Sequence, residues 1–331
     1  VNAKSLSNQF TRDAGIEVPV ICGPMYPSSN PELVAAVSDA GGLGIVQPIS
    51  LTYVYGHGFR EGLRLIKNLT DKPFGMNALI EKSSEKYHQR MVRWVDIALE
   101  EGVRFFITSM GKPEWVVEKV HATGGVVYHD ATERKWAKKA IGSGVDGLIA
   151  VNNRAGGHTG RLSREQLFED FADFNVPLIC AGGVGNEQDF IEALELGYAG
   201  VQMGTRFLAT EECHINLPYK QAVVDATAED IVLTERVSGS PVSVINSNYI
   251  KHLGYKVGPL TGWLLRRPRL KYLVRTLYII KSFWRLKKAV LDPEGKRQFW
   301  QAGKSVEHVH SIDKAGDIVC KFAAAAAVID K

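Results

Sequence analysis

The 331-residue sequence is poor in the features that mark several protein classes. It has four cysteines, Cys22, Cys180, Cys213 and Cys320, far apart and with no CxxC pair, so neither a disulfide framework nor a zinc site is expected. Cys22 and Cys180 lie inside apolar runs and read as buried, reduced thiols, which points to a cytoplasmic protein. No uncharged apolar run reaches the roughly 18 residues of a membrane span. The opening Val1-Asn2-Ala3-Lys4 does not read as the start of a signal peptide. No early glycine-rich dinucleotide fingerprint follows the first apolar run, and nothing resembles a nucleic-acid recognition module.

What is present is the composition of a globular protein, 45% hydrophobic and 23% charged, with a mild net charge of +4. Short apolar runs recur at 18–25, 42–48, 73–80, 105–110, 125–130, 147–152, 177–183 and 200–207. Each is continuous rather than alternating, as parallel strands covered on their outer face require. Amphipathic segments separate them at 31–40, 58–69, 81–101, 113–122, 132–143, 163–174 and 186–196, and 218–226 follows the last. Helix-start signals accompany them, such as Asn30 before Pro31, and Ser163 with Gln166 three residues on. Eight strand–helix repeats predict an α/β fold, a (β/α)8 TIM barrel, with a doubly wound sheet as the alternative. The expected barrel takes 1–226 plus 300–331, leaving 227–299 as a helical, basic lid over the substrate region.

Candidate site residues fall at the ends of these strands. A barrel commonly binds phosphate after its seventh and eighth strands, where bare backbone can converge on oxygen. Here those ends read Cys180-Ala181-Gly182-Gly183 and Met203-Gly204-Thr205-Arg206. Gly182, Gly183 and Gly204 permit close approach, Thr205 adds a hydroxyl, and Arg206 adds a charge of unassigned direction. The first strand ends in Gly23-Pro24-Met25, the third carries Asn77, and the fifth ends in Asp130. Asn77 both donates and accepts, which suits the edge of a heteroaromatic ring. Just beyond the sixth strand stands Ala155-Gly156-Gly157-His158: two glycines where a flat ligand can lie against backbone, then a side chain that exchanges protons near neutrality.

In order and spacing these pieces, with the run from Pro31 to Gly44 and Pro73-Phe74-Gly75-Met76-Asn77, resemble the nitronate monooxygenase family of flavoenzymes (formerly 2-nitropropane dioxygenases), which also includes FMN-dependent enoyl-acyl-carrier reductases and quinone reductases. The resemblance runs from about Val18 to Cys213 and more weakly over 299–326. It implies an FMN-binding barrel. Gly182, Gly183, Gly204 and Thr205, flanked by Ala181 and Met203, would hold the phosphate. Pro24, Met25, Asn77 and Asp130 would lie along the flavin ring, and Gly157 with His158 near its reactive edge. His158 aligns with the family's catalytic base or substrate ligand. Two positions depart from the pattern: Asn152-Asn153-Arg154 replaces an acidic residue, and Asp130 stands where relatives have lysine or a small residue.

The resemblance also implies an activity: oxidation of alkyl nitronates by molecular oxygen to a carbonyl compound and nitrite. The alternatives are an NAD(P)H-dependent reductase of enoyl thioesters or quinones, and a membrane-associated flavin-binding protein without turnover. The last arises from the stretch 251–290, which carries eleven Lys or Arg and no Asp or Glu, leaving −7 for the rest of the chain. Interleaved aromatics make it a basic amphipathic pattern, suited to a lid, an anionic membrane surface or an acyl-carrier partner. Gly258-Pro259 and Arg267-Pro268 are expected to break it into short helices.

Overall fold

Each continuous apolar run pairs with the next one, and the last returns to the first. In a computed structural model, which describes residues 6–81, 84–236, 241–258 and 271–329 (without the side chains of 271–280 and 328–329), eight parallel strands close into a barrel. They are β1 Val20–Cys22, β2 Leu43–Val46, β3 Gly75–Leu79, β4 Phe105–Ser109, β5 Val126–Ala131, β6 Gly147–Val151, β8 Leu178–Ala181 and β9 Gly200–Met203. Ile21 opposes Leu43 on one side and Gln202 on the other, the pairing that seals the ring. Alternate residues face inward. Ile21, Ile45, Ile107, Tyr128, Ile149 and Ile179 fill the interior, while Val20, Cys22, Phe106, Val127 and Cys180 pack against the surrounding helices.

Helix α1 (Gln9–Ala14) closes the bottom of the barrel. Asn8 caps it through the Thr11 amide, and Phe10, fully buried, sets its ring 5.9 Å from Phe105 and 5.7 Å from Tyr128. The Tyr128 hydroxyl donates to Asp13 at 2.9 Å. A plugged floor leaves the C-terminal end of the strands as the face where a ligand can enter.

Helices α2 (Pro31–Asp39), α3 (Phe59–Leu69), α4 (Glu85–Glu100), α5 (Glu114–His121), α6 (Arg134–Ile141), α7 (Arg164–Phe171) and α8 (Glu187–Glu195) occupy the amphipathic segments. The run 200–207 is not one strand: β9 stops at Met203, Gly204 caps the turn, and Thr205–Leu208 forms the short helix α9. Helix α10 (Leu217–Asp225) follows.

The segment 227–299, expected to be helical, opens as sheet. Strands β10 (Ile231–Thr234) and β11 (Val242–Ile245) pair antiparallel, as their β-branched residues favour. β11 then pairs with β7, the two-residue strand Gly157–His158. Helix α11 (Asn248–Leu253) and the long helix Lys271–Leu291 come next. Pro259 and Pro268, the expected breaks, and Trp263, Arg266, Arg267 and Arg269 lie outside the described residues. The helix Ala315–Ile329 returns against α2 and α8, stacking Phe322 on Phe190 at 5.3 Å.

Candidate active site

Three neighbouring strand ends join their polar side chains at the open face. Asn77 Nδ2 lies 3.2 Å from the Ile107 carbonyl and 3.2 Å from Ser109 Oγ, which donates to Asp130 Oδ2 at 2.6 Å. Asp130 Oδ1 is buried with no hydrogen-bond partner among the described residues. Burial holds the Asp130 carboxyl up at about 6, against the opposing pull of the Ser109 hydroxyl. Gln202 Oε1, on β9, is likewise buried and unsatisfied. An orphaned acceptor costs roughly 1–3 kcal/mol when nothing meets it, so two such atoms inside the barrel mouth suit a ligand that brings donors.

The glycines form the second wall. Gly182 and Gly183 have φ of +111° and +80°, a backbone region that side chains rarely enter. A Cβ on Gly182 would sit 2.5 Å from Asn152 Oδ1, and one on Gly183 2.9 Å from Arg154 Nε. Asn152 ties the two loops together, donating to the Gly182 carbonyl at 2.8 Å and accepting from the Arg154 amide at 2.8 Å. Gly156 passes so close to the C-terminal segment that a Cβ would lie 2.9 Å from the Gly303 nitrogen. The Gly303 amide donates to Thr205 Oγ1 at 2.9 Å. A Cβ on Gly204 would meet Met25 Sδ at 3.3 Å. At Gly182 both the left-handed φ and the Ala155 backbone nitrogen, 2.6 Å from a would-be Cβ, demand glycine, and at Gly183 the φ does.

His158 lies on β7 opposite Val242. It keeps part of its surface open to solvent while protein atoms crowd the ring, and that desolvation holds the imidazole below its ordinary range. The neutral, proton-accepting form thus persists at mildly acidic pH.

The structure sorts the remaining candidates. Pro24 and Met25 are half-buried at the end of β1, with the Met25 amide donating to Ser29 Oγ at 2.9 Å. Ala181 lines the barrel interior. Met203 packs outward among the helices, and only its carbonyl, accepting from the Gly23 amide at 2.9 Å, borders the cluster. Gln202 is the inward residue of β9, missed in the sequence because the phase of a strand buried on both faces is hidden. Arg206 turns away from the cradle to pair with buried-side Asp313, and Arg154 pairs with Glu307. Both charges in this region are therefore matched from within the chain. Ser109, Asn152 and Gly303 complete the site, and only an isolated polar residue at a strand end could have marked the first two. Among the described residues no group of His, Cys, Asp or Glu could hold a metal ion.

Comparison with known proteins gives the family and the fold. The family described as nitronate monooxygenase matches residues 7–321. An octahydroindene carboxyl-CoA dehydrogenase of Rhodococcus jostii is 31% identical over 250 residues, covering 75% of this chain and 68% of the relative. A nitronate monooxygenase of Pseudomonas aeruginosa is 28% identical over 277 residues, 71% of this chain and 78% of that protein. The structure of FabK from Thermotoga maritima superposes with a TM-score of 0.79 at 25% identity, over 98% of this chain and 97% of the other. A nitroalkane oxidase of Streptomyces ansochromogenes, at 22% identity over 97% and 98% of the two chains, shares the fold with a TM-score of 0.76.

Proposed function

Since the chain belongs to the nitronate monooxygenase family and is an oxidoreductase, we propose that it binds FMN at the barrel mouth and oxidises alkyl nitronates with molecular oxygen to a carbonyl compound and nitrite. The observation that carries this reading is the convergence of a glycine cradle, two unsatisfied buried acceptors and a neutral-leaning histidine on one face. The residues fit the cofactor: Gly182, Gly183, Gly204 and Thr205 would hold its phosphate, while Pro24, Met25, Asn77, Asp130 and Gly157 would border its ring. FMN, when bound, supplies the electron transfer and the reaction with oxygen.

The chain's own contribution is proton management and shape. With a neutral nitroalkane, a ring nitrogen of His158 takes the α-proton, and the C–H electron pair passes into the nitro group to leave the nitronate. With a preformed nitronate that step is already done, and His158 orients the anion. The plugged floor and the glycine walls keep bulk water from one side of the reacting centre.

A second reading is favoured by the Rhodococcus relative, whose name places a carboxyl-CoA thioester in its reaction. On it, the same cradle and histidine would serve oxidoreduction of a thioester with NAD(P)H as the partner. Anaerobic mixing of the purified yellow protein with a nitronate, NADH or NADPH decides between them. Bleaching of the flavin absorbance by nitronate alone is the expected result. Bleaching only by a nicotinamide would replace the first reading by the second, and release of FAD instead of FMN on denaturation would overturn the cofactor.

A further inference from the structure

The long helix Lys271–Leu291 presents two different faces. Leu286, Ala289 and Val290 are buried, and Phe283 packs edge-on against Tyr26 at 4.5 Å while its carbonyl accepts from the Tyr26 hydroxyl at 3.0 Å. Tyr26 directly follows Met25, so the helix is fastened to the rim of the barrel mouth. The outward face carries Lys281, Trp284, Lys288 and Leu291, spaced by three, four and three residues along one stripe. Trp284 is 63% and Leu291 46% exposed. Beside them a recess of about 460 Å³ is walled by Lys281, Arg285, Lys288 and Arg297, with Tyr249 and Phe299 behind. Among the described residues none of these four cations has a carboxylate partner. Glu294 pairs with Lys296, and Asp292 accepts from the backbone amides of Glu294 and Arg297.

We propose that this face is a docking surface for an anionic lipid bilayer, with Trp284 and Leu291 entering the headgroup boundary and lipid phosphates settling among the four cations. Charge complementarity orients the molecule. Lys281, Arg285, Lys288 and Arg297 gather positive charge on this one face, which a negative surface attracts, and the sequence stretch 251–290 holds eleven basic residues and no acidic one. Exposed Trp and Leu flanked by lysines match an interfacial helix, in which apolar side chains enter the boundary while cations meet phosphates. The stripe from Lys281 to Leu291 is roughly 15 Å long and open, a shape for a surface rather than for an enclosed small ligand. Among the described residues no helix is long and apolar enough to cross a membrane, so the contact is peripheral. The proposal does not depend on which substrate is oxidised.

The test is co-sedimentation of the flavin-loaded protein with vesicles of equal parts phosphatidylglycerol and phosphatidylcholine, against vesicles of phosphatidylcholine alone. The expected result is binding to the anionic vesicles only, weakening as salt rises above about 0.1 M, where the Debye length is about 10 Å. Each basic residue near an anionic surface is worth roughly fivefold in partition, so Lys281→Glu with Lys288→Glu should cut binding by roughly tenfold or more. Trp284→Ser with Leu291→Ser should also weaken binding, with the salt dependence retained. Both pairs lie on an exposed face, and an unaltered melting temperature verifies that they fold. Wild-type protein left in the supernatant with anionic vesicles at low salt overturns the proposal, as do charge variants that bind like wild type. Titration with coenzyme A supplies the other arm. Saturable binding lost in Lys281→Glu/Lys288→Glu, with no vesicle binding by wild type, would give the face to a soluble phosphorylated ligand and overturn the membrane assignment.

Discussion

At the scale of single residues, His158 and the neighbouring pair His129 and Asp130 show how burial sets protonation. His158→Ala should retain flavin and lose about 10²–10⁴-fold in kcat/KM with neutral nitroalkanes, while a preformed nitronate suffers less. Equal losses with both substrates, measured by nitrite release, would make His158 an orienting group and not a base. Because its pKa is lowered, wild-type activity on nitroalkanes should rise with pH and level off below the ordinary imidazole value of about 6.5. The other pair acts on stability. His129, buried beside Thr108 Oγ1 at 2.8 Å, is held down to about 4, so it favours the folded state fully above about 6.5 and loses that contribution as pH falls toward 4. Asp130, held up to about 6, works the other way: its contribution is present in acid and is lost as pH rises from about 3.8 to about 6. Each effect is on the order of 3 kcal/mol, so they largely cancel in the cofactor-free protein. Asp130→Asn should unmask the histidine, giving a steeper loss of stability on acidification in urea titrations between pH 4 and 7. Parallel curves for variant and wild type would refute this account.

At the scale of elements, the site depends on loops that touch across long sequence separations. In the β8–α8 turn Gly183 itself has little room for a side chain, since it sits at φ +80° with Arg154 Nε 2.9 Å from its would-be Cβ. Gly183→Val should therefore push Arg154 out of place and lower FMN occupancy, read as the flavin-to-protein absorbance ratio, with the barrel's circular dichroism unchanged. Full occupancy in that variant would place the phosphate elsewhere. The glycines, the Gly23-Pro24-Met25 turn and Asn77 were legible because strand ends can be found from local apolar runs. The assignment of Met203 to the site illustrates where that stops. In a strand buried on both faces, Gln202 and Met203 look alike as inward candidates, and the barrel interior admits the glutamine. The pairing of β7 with β11 was also hidden, because two residues, Gly157 and His158, carry no periodicity of their own, and their partner lies some eighty positions away.

At the scale of the whole molecule, the C-terminal segment locks the barrel mouth from outside. Arg206, with a side chain only 8% exposed, pairs with Asp313, and Arg154 pairs with Glu307 on the same segment. Removing the carboxylate from a largely buried pair strands the partner charge, at a cost of roughly 3–5 kcal/mol when burial is complete. Asp313 is 22% exposed, so Asp313→Ala should cost about 2–3 kcal/mol, seen as a lower denaturation midpoint. An unchanged midpoint would mean that water already screens Arg206. The same variant should weaken flavin retention, because Gly303, which bonds Thr205 Oγ1, is carried by this segment.

The order of strands and helices, the glycines at the strand ends, the histidine after the sixth strand and the lopsided charge were all determined by the sequence alone. Each is a local property: a run of apolar side chains, a residue without a Cβ, a count of charges. Tertiary structure decided which residues meet. It turned Arg206 and Arg154 toward carboxylates, set Gln202 and not Met203 inside the barrel, left one Asp130 oxygen without a donor and converted part of an expected helical lid into a sheet that carries His158. The physical reason is that burial, and with it protonation and ion pairing, is set by groups distant in sequence whose encounter no local periodicity encodes.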